Sequence, residues 1–174
     1  MKVAIAAEID QGEPRVAATP ETVKKLIGLG AEVAVESGAG VRSGILDADF
    51  ASAGAAVAKG AAAGADVVLK VRRPTIGELK GYKKGALVIA IMDPFGNEDM
   101  IKAMAAAGVT AFAMELLPRI TRAQSMDVLS SQANLAGYRA VIDASAEYGR
   151  AFPDRKSTRL NSSHIQKSRM PSSA

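Results

Sequence analysis

Short apolar runs alternate with stretches of helical spacing along most of the chain. Lys2–Ala7 is an apolar run suited to a buried strand, Asp66–Val71 (DVVLKV) is another strand, and Ala86–Ile91 (ALVIAI) is wholly apolar, as in strands buried on both faces. Glu32–Glu36 (EVAVE) alternates with two valines, and Val109–Met114 (VTAFAM) reads as a further strand. Between these runs the period lengthens. Thr19 is an N-cap with Pro20 at the first helical position, and Val23, Leu26 and Ile27 share one face before Gly28 or Gly30 stops the helix. Asp47–Ala53 predicts a short helix. Asn97 caps another, with Glu98 and Asp99 in its first turn and Gly108 at its end. From Met126 to Gly149 the pattern is helical over roughly 36 Å. Strands alternating with helices predict an α/β fold, a mostly parallel sheet flanked by helices.

The long final helix exceeds what a small domain needs. The expected organisation is therefore a domain over 1–125, an inter-domain helix over 126–153 leading to a second domain, and a tail over 154–174. The chain then reads as an N-terminal piece of something longer. The tail differs from the rest: it has five basic residues, one acid, six serines, no glycine and the single histidine, His164. Residues 1–153 carry equal numbers of basic and acidic residues, so the net charge of +4 belongs to the tail. Its composition predicts disorder, and RKSTRLNSSH resembles translated adapter sequence, which predicts a non-native end. A basic arm for nucleic acid is the other reading of the same residues; no nucleic-acid partner is expected.

Composition narrows the chemistry. The chain has 174 residues, 48% hydrophobic and 23% charged, enough for one domain with a proper core. It has no cysteine and one histidine, which excludes a disulfide framework, a thiol nucleophile and a multi-histidine metal site; no metal is expected. No apolar stretch is long enough to span a membrane, and MKVAIAAEID is too short an apolar run for a signal peptide, so the cytosol is the expected compartment.

Three polar segments stand out. Gly38-Ala-Gly40-Val-Arg-Ser-Gly44 invites a phosphate-cradle reading, but Ser43 stands where a dinucleotide fingerprint needs glycine, so a turn fits better. In Glu8–Pro20, Arg15 either clamps an anion or a neighbouring segment, or is a surface residue at a loop exit. In Pro118–Ser131 (PRITRAQSMDVLSS), Arg119, Arg122, Gln124, Asp127 and Ser130 crowd a loop that opens the long helix. Asp127 could pair with Arg119 or Arg122, and Gln124 and Ser130 could serve an amide or ribose ligand. An elaborate helix cap with Ser125 as N-cap accounts for the pattern equally well. Further along, Tyr138 faces either a cleft or solvent.

RVAATPETVKKLIGLGAEVAVESGAG and PRITRAQSMDVLSSQANLAGYRAVIDA together resemble the N-terminal domain shared by NAD(P) transhydrogenases and alanine dehydrogenases, over essentially all of 1–153. The second segment looks like the alpha subunit of the proton-translocating transhydrogenase. The resemblance implies a Rossmann/flavodoxin-like domain and NAD(H) as cofactor, with NADP(H) on a separate domain. It implies that Arg119, Gln124 and Asp127 line the nicotinamide end of NAD, joined by Ser130 and Tyr138, with Arg119, Gln124 and Asp127 as the catalytic set. Implied partners are a second copy, joined through the missing second domain, and the NADP(H)-binding and membrane subunits. The chain would then lie peripheral to a membrane. Arg15 and Lys70 match substrate-binding residues of the alanine dehydrogenase branch, but that branch uses a histidine near the segment holding Ile91, and residues 1–153 have none. Direct hydride transfer between nicotinamides needs positioning rather than a proton shuttle. The expected activity is transhydrogenation, absent from the isolated fragment. An alanine dehydrogenase-like enzyme and a non-catalytic assembly module are the alternatives.

Overall fold

The computed structural model describes residues 1–150; the reading of 154–174 lies outside the described residues. The chain divides into two units, Met1–Leu129 and Ser130–Ala174. The first holds six parallel strands, β1 (Lys2–Ile5), β2 (Glu32–Glu36), β3 (Ala56–Ala58), β4 (Val67–Arg72), β5 (Leu87–Ile91) and β6 (Thr110–Ala113), in the order β3-β2-β1-β4-β5-β6. The helices are α1 (Pro20–Gly28), α2 (Asp47–Ser52), α3 (Ile76–Leu79), α4 (Glu98–Ala107) and α5 (Val128–Glu147), the last running from one unit into the other.

Side chains alternate across a strand, so β1 serves two cores. Val3 and Ile5 pack with Val23, Val35 and Phe50 on one face, while Ala4 and Ala6 pack with Val68, Val88 and Met104 on the other. Both faces are covered, as a parallel sheet requires. β5 departs from the fully buried strand expected of ALVIAI: Val88 and Ala90 are buried, while Leu87, Ile89 and Ile91 are half-buried.

The expected caps hold only partly. Thr19 accepts from the Thr22 N–H, Pro20 opens α1, and Gly108 ends α4 with a φ of 69°. Asn97 occupies the N-cap of α4, but its side chain turns back to donate to Asp93 O at 2.9 Å. Two elements escape the hydrophobic pattern. β3 is Ala-Val-Ala among glycines, and α3 is one turn set by Thr75, whose hydroxyl accepts from the Glu78 N–H while Glu78 accepts from Thr75 N at 2.7 Å.

Candidate functional site

The chain builds outward from β1 to β2 and β3, then returns to lay β4 on the other side of β1. That reversal is a topological switch point, and the carboxyl ends of the flanking strands diverge there to form a crevice. A cavity of ≈ 520 Å³ occupies this position, lined by Glu8, Lys70, Arg72, Arg73, Glu78 and Asp93 among others.

Lys70 projects from β4 with its side chain only 1% exposed. A buried ammonium needs counter-charges, and it has two. Its Nζ lies 2.6 Å from Glu78 Oε1 and 3.6 Å from Glu8 Oε2, and it also donates to Ala7 O at 3.1 Å. The other Glu8 oxygen accepts from the Val71 N–H at 2.7 Å, so this carboxylate ties the end of β1 to β4. Glu13 sits beside this group. It accepts from Arg15 Nε and Nη2, each at 2.7 Å, and from Arg72 Nε at 3.2 Å. The bond from Arg15 is the main cause holding the Glu13 pKa down to about 2, against the cost of burial, and the same contact raises Arg15. Arg73 pairs with Asp93 at 3.1 Å. Asp93 has a φ of 46°, a left-handed backbone for a non-glycine residue, and its N–H donates to Glu115, as does the Met92 N–H at 2.9 Å.

The Gly38–Gly44 segment resolves as a turn. The Gly38 N–H and the Ser37 hydroxyl both donate to Asp47, which lowers the Asp47 pKa, the Ser37 bond first. Gly40 is needed for space: a Cβ there would lie 2.7 Å from Ile45 O and 2.8 Å from the Phe50 ring. The turn also braces the switch-point loop. Arg42 donates to Asp10 O and Glu8 O, and the Ser43 hydroxyl donates to Pro14 O at 2.7 Å.

The other sequence candidates lie elsewhere. Arg119 is exposed in the loop between the 3-10 turns Met114–Leu116 and Thr121–Met126. Gln124 is exposed on the second turn, beside buried Ala123, which anchors it. Ser125 lies inside that 3-10 turn, so it is not the N-cap of the long helix. Asp127 takes that role: it is half-buried, its N–H donates to Gln124 O at 3.3 Å, and its Oδ1 accepts from the Leu129 N–H at 3.0 Å. The helix consequently starts at Val128 rather than Met126 and spans about 30 Å. Ser130 and Tyr138 are exposed positions of α5 in the second unit.

The switch-point carboxylates Glu8, Glu13 and Glu78 went unassigned from the sequence. The available signal was Lys70 itself, a charge inside a valine-rich strand that demands a buried partner.

The model of the alanine dehydrogenase/PNT N-terminal domain matches residues 4–136. The chain belongs to this family. It is 52% identical over 161 residues to the first polypeptide of the NAD(P) transhydrogenase alpha subunit of Rhodospirillum rubrum, covering 88% of this chain and 42% of that protein. Alanine dehydrogenase 1 of Staphylococcus aureus is 34% identical over 143 residues, covering 82% and 38%. The crystal structure of a transhydrogenase from Sinorhizobium meliloti superposes with a TM-score of 0.84 at 64% identity, covering 88% of this chain and 46% of that one. The chain thus spans less than half the length of these relatives.

Proposed function

We propose that this chain supplies a portion of the NAD(H) site of a proton-translocating NAD(P) transhydrogenase alpha subunit. The observation that carries the reading is the 52% identity to a transhydrogenase alpha-subunit polypeptide across 88% of the chain, against 34% to an alanine dehydrogenase. The absence of histidine from residues 1–153 supports it further, because deamination needs an acid–base group and hydride transfer does not. On this reading 1–125 is the N-terminal domain and 126–153 leads to a second, cofactor-binding domain. NADP(H) sits on a separate domain, the assembly is a homodimer, and the chain meets the membrane through partner subunits. Among the described residues no helix is long and apolar enough to cross a membrane.

The residues present suit a nicotinamide. Ala123 pins the 3-10 turn while Arg119 and Gln124 stay exposed, which offers guanidinium and amide groups to a carboxamide. Asp127, whose Oδ1 accepts from the Leu129 N–H at the start of α5, would supply negative charge to an oxidised, cationic nicotinamide. The reading also assigns Ser130 and Tyr138, exposed on α5, to the dinucleotide. When bound, the dinucleotide supplies or accepts the hydride; the protein's task is to position and orient it. Arg119, Gln124 and Asp127 are the residues assigned to that task, and the isolated chain is expected to show no turnover.

Calorimetry of NAD and NADH on the chain, alongside Gln124→Ala and Asp127→Ala, tests the reading. Binding that weakens in both variants supports it; binding unchanged by either would overturn the assignment of the loop. The second reading, an alanine dehydrogenase-like site, draws on Lys70 beside the switch-point cavity. A carboxylate substrate would have to displace Glu78 and Glu8 from that ammonium. Pyruvate- and ammonia-dependent NADH oxidation by the full-length parent would establish it.

A further inference from the structure

The ladder between β5 and β6 ends at the pair Ala90 and Ala113. Alternate residues of a strand turn their N–H groups to the same side, and Ala86 O already accepts from the Thr110 N–H of β6. The Met92 N–H therefore points toward the β6 side, one step beyond the last paired backbone. A side chain meets it there. Glu115, the second residue after β6, accepts from the Met92 N–H at 2.9 Å and from the Asp93 N–H through the same Oε1. Two successive N–H groups on one carboxylate form a small anion cradle. The carbonyls of the same two residues are also taken by side chains: Arg73 donates to Met92 O at 3.4 Å and Asn97 to Asp93 O at 2.9 Å. Arg73 follows β4, Asn97 precedes α4 and Glu115 follows β6, so three elements hold the left-handed backbone at Asp93.

Glu115 is also the root of the loop that carries Arg119, Gln124 and Asp127. Only Leu116, Leu117 and Pro118 separate it from Arg119, and they leave little slack. The Leu117 N–H donates to Met114 O at 3.4 Å, the Pro118 ring fixes its own φ, and the N–H groups of Ile120 and Ala123 donate to Pro118 O and Ile120 O, each at 2.9 Å. These bonds are internal to the loop, so they set its shape and not its place on the sheet. Its place comes from the Glu115 carboxylate at the root and from buried Ala123 in the middle. We propose that Glu115 is a positioning residue: it fixes the Arg119–Asp127 loop to the exit of β5, and the loop in turn presents Arg119 and Gln124 to the nicotinamide. The presentation to nicotinamide rests on the NAD(H) reading above; the tie between loop and β5 does not.

Amide exchange on the full chain, without NAD, reads the tie at the hydrogen-bonded amides of Leu117, Ile120, Ala123 and Asp127. Glu115→Ala should speed them by about tenfold or more, the worth of one to two hydrogen bonds, with the amides of β1 and β2 unmoved. Glu115→Gln keeps an oxygen able to take both N–H groups and should stay within about threefold of wild type. Should Glu115→Ala not fold, Glu115→Asp carries the same expectation, because its carboxylate stops short by one carbon–carbon bond of about 1.5 Å. Gly40→Ala, a core change outside the loop, is the control for general destabilisation and should leave these amides alone. Calorimetry of NAD on the full chain then reads the role. Glu115→Ala should weaken binding by about fivefold or more, and adding Gln124→Ala to it should weaken binding little further, because a misplaced loop has lost the Gln124 contact already. Loop amides unchanged in Glu115→Ala, additive losses in the double variant, or binding weakened by Gln124→Ala but not by Glu115→Ala would each overturn the proposal. NAD binding that is absent, or unchanged by Gln124→Ala, would instead overturn the NAD(H) reading and the role drawn from it, while the amides still decide the tie.

Discussion

Glu13→Gln isolates the charge at the centre of the switch-point network. The side chain is 3% exposed, keeps its shape in the variant, and loses the ionised acceptor that faces Arg15 and Arg72. A carboxyl held at about 2 instead of its ordinary 4.5 contributes about 3 kcal/mol to the folded state where it is ionised in both states. Gln retains one acceptor oxygen, so the expected loss at neutral pH is about 2–3 kcal/mol. The sign follows from the depressed value: the unfolded chain binds the proton first, so the stabilisation is complete above about pH 5 and fades as pH falls from there toward 2. Urea unfolding followed by circular dichroism, for wild type and variant in parallel between pH 7 and pH 2.5, measures the gap directly. Other carboxylates titrate equally in both proteins and cancel. A gap near zero at pH 7, or one that stays constant down to pH 2.5, would refute the reasoning.

Gly40→Ala should cost about 1–3 kcal/mol in chemical denaturation, because the new methyl has nowhere to go between Ile45 and the fully buried Phe50. Lys70→Met should cost about 3–5 kcal/mol, more than its burial alone would suggest, since it leaves Glu8 and Glu78 facing one another without a cation; urea melts at pH 7 report it. Asp127→Ala should lower stability by about 1 kcal/mol through loss of the bond to the Leu129 N–H, read as earlier fraying of α5 in amide exchange. Arg119→Ala and Gln124→Ala are surface changes and should leave the stability within about 0.5 kcal/mol of wild type; with unaltered folding, any loss of NAD binding in calorimetry then reports the site itself.

Much of the architecture was legible in the order of residues. Apolar runs such as EVAVE and ALVIAI, separated by Thr19-Pro20 and Gly108, announce strands and helices because burial and capping act within a few residues of each other. β3 and α3 were not legible, since three residues of Ala-Val-Ala and a single capped turn carry too little periodicity. The polar density of Pro118–Ser131 was visible, but which residue caps α5 was not. Ser125 and Asp127 are equally suited chemically, and the 3-10 turn over Thr121–Met126 decides for Asp127. The sequence by itself determined a parallel α/β domain of this family, with no histidine in residues 1–153. The tertiary structure alone decided that Lys70 pairs with Glu8 and Glu78, and Glu13 with Arg15 and Arg72, in two adjacent ion-paired groups. They come from three separate segments, and they meet because the strand order reverses between β1 and β4, bringing distant charges together where Glu8, Glu13 and Lys70 are too dry to be left unpaired.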